Sequence, residues 1–431
     1  MNCPTGIGTD MRENRNDIWE RLTNILVINS GSSSIKFRLF AMPAEQPLIG
    51  GQLERIGSVD ARLLYTVRGS DPLIRPLTVS DHATALSAIF TLLGEQASIS
   101  GLSQPDAVGH RVVHGGSEFS APALIDEEII TRLEKVSKLA PLHNTACLAG
   151  IRVVADLQPG TPQVAVFDTA FHHDLPEYAR YYGLPLELQR QQHIRRYGFH
   201  GLSHSYVAAA AAQWLGRSLD DLKMITLHLG NGASACAIRG GFSVDTSMGF
   251  TPLEGLVMGS RCGDLDPALP AYFAAALELS SEQLEQLLQQ QCGLQGLCGD
   301  ADMRRIEQRL VTGDDDARLA FDIFCYRVRK YIGAYYAALN GLDVLVFTAG
   351  IGEHSAAVRA AVCTGMEALG IGVDSVSNAA SSGGIVDIGR SDLPVRVLVV
   401  PTDEELEIAR ATHACLHKAA AGNPPSRIRE H

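Results

Sequence analysis

A chain of 431 residues, 46% hydrophobic and 19% charged, is too long for one compact core and too apolar to stay disordered, so two domains are expected. Its net charge of −12, carried without a basic stripe, argues against a duplex-binding surface, and no apolar run approaches the length of a membrane span, so neither nucleic acid nor membrane is an expected partner. Nine cysteines without a CxxC pair, after a charged start (Asp10, Arg12, Glu13, Arg15, Asp17 and Glu20) with no apolar stretch, read as free thiols of a cytoplasmic protein.

In chain order, residues 1–23 read as an extension. Ile25–Asn29 is a short β-branched run, followed by a polar, glycine-bearing turn and a second apolar run, Ile35–Phe40. This is the pattern of strand, tight loop and strand. The segment Asn29-Ser30-Gly31-Ser32-Ser33-Ser34-Ile35-Lys36 reads as an anion cradle. Hydroxyls and backbone N–H groups can donate to phosphate oxygens, Gly31 allows close approach, Lys36 supplies a point charge and Asn29 an oxygen for a metal. It is not a Walker A loop, because Lys36 lacks the preceding glycine and the following hydroxyl.

A helix is expected over His82–Gln96 and a strand over Ala107–Val113, with Gly109–Gly116 placing Arg111 on a glycine-flanked loop. A strand at Val164–Asp168 follows, and Tyr197-Gly198-Phe199-His200-Gly201 sets a histidine between glycines. From Ile225 the first pattern returns, Ile-Thr-Leu-His-Leu leading into Gly230-Asn231-Gly232-Ala233-Ser234 and a second strand. Each half of the chain thus holds a hairpin with Asn, Gly and Ser in its loop, which points to two related domains. Gly240-Gly241 forms a further turn, and Arg261 lies in Gly259–Asp264 beside Cys262, read as a small neutral filler. Leu319–Asn340 is the clearest helix, with Phe321, Phe324, Val328, Tyr331 and Tyr335 spaced as a core face. Strands at Val344–Thr348 and Val395–Val400 complete an α/β layout, the first leading into Gly350-Ile351-Gly352-Glu353-His354. The tail from Ala421 reads as frayed.

Several chemistries are excluded. Ser355 stands where the third glycine of a dinucleotide fingerprint belongs, Gly201 follows His200 where a zincin needs Glu, and no nucleophile elbow is present. What remains is a set of cations (Arg111, His200, Arg261) among glycine loops. Transfer of a phosphoryl group needs that arrangement, because charge builds on the equatorial oxygens.

In order along the chain, Asn29–Lys36, Gly109–Gly116, Pro141–Asn144, Phe167–His172, Tyr197–His204, His228–Ser234, Asp245–Pro267, Thr348–Glu353 and Pro401–Glu405 resemble the motifs of the acetate kinase family, which includes the propionate kinases. The resemblance runs from about Ile25 to Arg410. It implies duplicated actin/Hsp70/sugar-kinase-like (ribonuclease H-like) domains with a cleft between them: a first domain over 24–170 plus about 405–420, a second, nucleotide-binding domain over 171–404, and a flexible tail over 421–431. It also implies a homodimer and reversible transfer between ATP and acetate. By this likeness Asn29 and Glu404 hold Mg²⁺, with Mn²⁺ as an alternative. ATP or ADP is bound by Ser32, Ser34, Lys36, His228, Leu229, Gly230, Asn231, Gly232, Asp302, Met303, Arg304, Gly350, Ile351, Gly352, Glu353 and His354. Arg111 takes the substrate carboxylate, with Val113, Leu142, His143, Phe199 and Pro252 around it, while His200 and Arg261 stabilise the moving phosphoryl group. By the same likeness Asp168 is the family's catalytic acidic residue. A carboxylic acid substrate is already ionised at neutral pH, so Asp168 is expected to orient its neighbours rather than abstract a proton. Val113 points to acetate over propionate or butyrate. A silent ATP-binding regulator of the same fold would be expected to lose some of the cations, and all three are present. His354 and Asp403 stand where the family often has Asn.

Overall fold

The computed structural model describes residues 23–31, 33–100, 104–137, 141–381 and 383–421. The extension before residue 23, Ser32, the tail after residue 421 and the side chains of Leu142 and His143 lie outside the described residues. The chain divides into two units, one ending at Phe167 and resuming at Glu405, the other running from Asp168 to Glu404. The first break falls three residues before the position expected from the sequence. Asp168 leaves the strand that precedes it, and its carbonyl accepts from Gly201 N at 2.9 Å.

The first unit is built on an eight-stranded sheet. Its strands are β1 (Thr23–Ser30), β2 (Ser34–Met42), β3 (Gln46–Glu54), β4 (Arg62–Val67), β5 (Leu73–Pro76), β6 (Ala107–Val112), β7 (Ala123–Leu124) and β8 (Gln163–Phe167), in the order β5-β4-β3-β2-β1-β6-β8-β7. β1, β2 and β3 form an antiparallel meander, while β6 and β8 extend it in parallel. The helix His82–Ser100 covers one face, where Leu26, Ile28, Ile35, Phe37, Leu86 and Ile89 form the core. The second unit repeats this plan with β9 (Lys223–Leu229), β10 (Ala233–Arg239), β11 (Phe242–Thr246), β12 (Val344–Thr348), β13 (Val386–Asp387) and β14 (Arg396–Val399), in the order β11-β10-β9-β12-β14-β13. Again a three-strand meander continues into two parallel strands. Central strands covered on both faces read as continuous apolar runs rather than alternations, as Val344–Thr348, buried at every position, shows.

The helix expected at Leu319–Asn340 starts earlier, at Asp315, because Asp314 caps it by accepting from Ala317 N at 3.0 Å. Asn340 ends it in the left-handed conformation at φ 54°. Phe321, Phe324, Val328 and Tyr335 are buried as a core face, with Tyr331 at its margin. All eight described cysteines are free. No helix among the described residues is long and apolar enough to cross a membrane.

Candidate functional site

In the first unit Asn29 and Arg111 both lie inside the runs expected as strands. Asn29 belongs to β1, not to the loop, and lies directly across from Lys36 in the ladder. Arg111 is likewise in β6 rather than on a loop, since the residues from Gly109 to Val112 continue the parallel pairing. A strand holds a guanidinium more firmly than a loop would. Arg111 is half-buried, and its Nη1 donates to Asn29 Oδ1 at 3.4 Å. Lys36 is exposed. Gly31 N donates to Ser34 O at 2.8 Å, which closes the turn around the cradle. Beside Arg111, His110 is buried and faces Gln163 at 2.7 Å; burial pulls its pKa down to about 4, so it is neutral and structural. Val113, just past the strand, is half-buried. Asn144 clamps the loop between them, its Oδ1 accepting from His114 N at 3.1 Å and its Nδ2 donating to His114 O at 2.8 Å.

In the second unit the β9–β10 hairpin is the organising element. His200 precedes the helix Gly201–Leu215 with φ 56° and ψ 24°, a left-handed conformation that a residue with a Cβ adopts at some cost. That turn aims its ring at the hairpin. Nδ1 lies 2.9 Å from Ser234 Oγ, and the ring stacks on His228 with centroids 4.2 Å apart. Gly201 is required where it stands, because a Cβ there would lie 2.2 Å from Asp168 O. Asp168 itself is 1% exposed.

Gly232 marks where the cations meet the loop. A Cβ at that position would lie 2.8 Å from Arg261 Nη2 and 3.4 Å from His200 Nε2. The Arg261 guanidinium and the His200 imidazole therefore flank one stretch of exposed backbone. Arg261 is half-buried and steadied by Pro252, whose carbonyl accepts from Nη1 at 2.6 Å. Gly259 N donates to Asn231 O at 2.9 Å, tying the arginine's loop to the hairpin. Burial pushes the neighbouring Cys262 thiol up to about 11, in keeping with an uncharged filler. Phe199 is buried, and its carbonyl faces His172 Nε2 at 3.1 Å.

A cavity of about 500 Å³ opens from the same hairpin, lined by Gly230, Asn231, Asp302, Met303, Arg304, Gly350, Ile351 and His354. Three segments remote in sequence thus converge on one space of nucleotide-binding size. Asp302 caps the helix Met303–Val311 and pairs with Arg304 at 2.7 Å. The Gly350–His354 segment follows the strand expected before it. It is a short helix, Ala349–His354, entered through Ala349 at φ 63°. Glu353 faces inward, its Oε1 accepting from Ala349 N at 2.9 Å and from Thr402 N at 3.2 Å.

Sequence reasoning passed over Arg359. It is 1% exposed, and its Nη1 donates to the carbonyls of Gly352 and Glu353 at 2.9 and 2.8 Å, satisfying the last turn of the helix that lines the cavity. Its other nitrogens are taken by Asn378 and Ser381. Only a helical position four residues after Ser355 marks it in the sequence, and nothing there announces a buried cation.

For a divalent cation, the candidate donors Asn29 and Glu404 both present oxygen, at the end of β1 and at the start of the helix Glu404–Ala420. Among the described residues no group of three or more His, Cys, Asp or Glu side chains is arranged to hold a metal. Mg²⁺ takes oxygen ligands, commonly one or two from protein, and completes its shell with phosphate and water.

Residues 24–410 match the acetokinase family. An acetate kinase of Helicobacter pylori (strain Shi470) is 50% identical over 388 residues, covering 89% of this chain and 97% of that protein. One from Streptomyces coelicolor is 50% identical over 405 residues, 93% of this chain and 98% of that one. Among solved structures, Porphyromonas gingivalis acetate kinase superposes with a TM-score of 0.85 at 41% identity, over 91% of this chain and 99% of that one. A propionate kinase from Francisella tularensis superposes with a TM-score of 0.86 at 39% identity, over 91% and 100%.

Proposed function

The chain belongs to the acetokinase family, and on that premise we propose that it transfers a phosphoryl group reversibly between ATP and acetate, giving acetyl phosphate and ADP. The observation that carries this reading is the juxtaposition in one unit of the cavity at Gly230 and Asn231 with His200 and Arg261 at Gly232. The cavity takes the nucleotide, with the loops at Asp302–Arg304 and Gly350–His354 around it. The γ-phosphate is presented at the hairpin, where the guanidinium of Arg261 and the imidazole of His200 neutralise charge on its equatorial oxygens. Asn29 and Glu404 would hold Mg²⁺, which supplies further neutralisation of the phosphates. By the family likeness, Lys36 and Ser34 would donate to phosphate oxygens and Arg111 would receive the carboxylate. No general base is required, because the attacking oxygen is already anionic at neutral pH.

Val113 limits the acyl tail. A propionate kinase among the structural relatives makes propionate the competing substrate. One methylene in an apolar pocket is worth about 1–3 kcal/mol. The protein acts in the cytoplasm, where its free cysteines stay reduced. It works as a homodimer: the helix Ala268–Ala276 is apolar throughout yet buries none of its residues, and Tyr272 is 65% exposed.

The test is acyl phosphate formation with Mg²⁺ and ATP, trapped as hydroxamate, for acetate, propionate and butyrate. Acetate is expected to show the highest kcat/KM, and Val113→Ala to move the ratio toward propionate by about tenfold. A wild-type preference for propionate would reverse the substrate assignment. No product with any of the three would leave an ATP-binding protein without this activity.

A further inference from the structure

Behind His200 runs a row of buried polar groups that the reaction itself does not use. Thr226 Oγ1 lies 2.7 Å from His204 Nδ1, His204 Nε2 lies 2.8 Å from Ser234 Oγ, and Ser234 Oγ lies 2.9 Å from His200 Nδ1. Thr226, His204 and Ser234 are all 0% exposed. Two come from adjacent strands of the hairpin and one from the first turn of the helix Gly201–Leu215. Water does not reach this row, so its hydrogens must be accounted for among these groups alone.

The accounting has one consistent solution. Burial, with His172 and His228 nearby, pushes the pKa of His204 well below its ordinary value, so the ring is neutral and carries one proton. Were that proton on Nδ1, it would donate to Thr226 Oγ1. The threonine hydroxyl, whose one partner among the described residues is His204, would then bury its own hydrogen without an acceptor. Such a group costs about 1–3 kcal/mol. With the proton on Nε2, every donor is used: Thr226 O–H donates to His204 Nδ1, His204 Nε2–H to Ser234 Oγ, and Ser234 O–H to His200 Nδ1. His172 follows the same logic. The carbonyl of Phe199 at 3.1 Å can only accept, so its proton sits on Nε2.

We propose that the Thr226–His204–Ser234 relay positions the proton of His200 on Nε2, making it a neutral hydrogen-bond donor to the transferring phosphoryl group. His204, Ser234 and Thr226 are positioning residues in this scheme, acting only through His200. The groups placed at the ring include a guanidinium and a second imidazole. Arg261 Nη2 and His200 Nε2 flank the same glycine, the His228 ring is stacked on it, and the Asp168 backbone carbonyl is taken by Gly201 N. A second cation beside Arg261 would be repelled, whereas an N–H dipole is not. Donation then does not depend on an imidazolium and persists at pH values above the usual imidazole range.

The inference rests on the proposed phosphoryl transfer for its purpose, but its central test does not depend on activity. In protein labelled with ¹⁵N-histidine, two-bond proton–nitrogen correlation at pH 8, with His200 assigned from an H200N variant, reports which nitrogen is protonated. A protonated Nε2 with a bare Nδ1 is expected. A proton on Nδ1, or on both nitrogens, overturns the proposal. Ser234→Ala releases His200 Nδ1 from its donor. Because a lost transition-state donor costs about 10²–10³ in rate and this one would be present part of the time, kcat should fall about tenfold at pH 8 and less at pH 6, where protonation restores the donor. KM for ATP should change little, and Ser234→Thr, which keeps the hydroxyl, should recover most of the loss. An equal loss at both pH values, or no recovery by threonine, would mean that Ser234 merely supports the fold.

Discussion

The two units carry the same hairpin and use it differently. In the first, the β1–β2 hairpin bears its own charge on a strand: Lys36 of β2 is exposed and sits across from Asn29. In the second, the β9–β10 turn bears no charge at all. Its glycines leave a bare backbone, and the donors arrive from elsewhere, the His200 imidazole from the head of a helix and the Arg261 guanidinium from a loop tied to Asn231. Behind the turn, Thr226 and Ser234 are buried and bonded to histidine. A duplicated backbone therefore does not imply duplicated chemistry. An exposed lysine acts at a distance through solvent and is screened by salt. A half-buried arginine braced by Pro252 is held in place before the reaction and loses little in reorganisation.

The sharpest way to break this contrast is to neutralise one cation from each hairpin. Arg261→Gln should lower kcat by about 10²–10³, the usual loss for a preorganised transition-state donor, with little dependence on salt. Lys36→Gln should lower kcat/KM less, by about tenfold, with a loss that shrinks as ionic strength rises. Steady-state kinetics at low and high salt check both. Equal, salt-independent losses would remove the distinction between the hairpins.

Acid should expose what the units share. His110 in the first and His172 in the second are both held near pKa 4 by burial. Each folded ring therefore binds fewer protons than its unfolded counterpart between about pH 4 and 6.5. Stability is full above pH 6.5 and falls as pH drops through that window, by up to about 3 kcal/mol for each histidine. Urea denaturation at pH 7 and pH 4.5, with hydrogen exchange resolved by unit, should show both units weakened. A midpoint that does not move, or one unit that resists, would contradict the shared burial.

The smallest effect concerns the cavity wall. Arg359→Met leaves the carbonyls of Gly352 and Glu353 without their donor. It should reduce stability by about 2–3 kcal/mol and raise KM for ATP several-fold, while kcat at saturation stays within about twofold. Thermal unfolding and ATP titration separate the two consequences. A large fall in kcat with unchanged KM would place Arg359 in the chemistry rather than in the support of the nucleotide site.

Much of this was legible in the amino-acid order. The alternation of β-branched runs with Asn, Gly and Ser turns located both hairpins, and Phe321, Phe324, Val328 and Tyr335 located the long helix, because periodicity and turn chemistry are local properties of the chain. Asn29 and Arg111 stand near glycine-bearing turns, and backbone pairing to a neighbouring strand keeps both in the sheet, within the runs expected as strands. The segment Gly350–His354 read as a glycine-rich stretch after a strand, and its helical form, whose last carbonyls Arg359 satisfies, was not legible.

The sequence by itself determined the layered α/β fold, its duplication and the types of residue available for phosphate: cations, glycines and hydroxyls in a recognisable order. Tertiary structure decided which of them meet. Ser234 joins His200 to His204 across a helix and a hairpin, Gly232 admits a guanidinium and an imidazole to one loop, and Arg359 disappears into the core. These are contacts between residues tens of positions apart, and the free energies that select them, burial of polar groups only when every donor has an acceptor, exist only once the chain has closed around them.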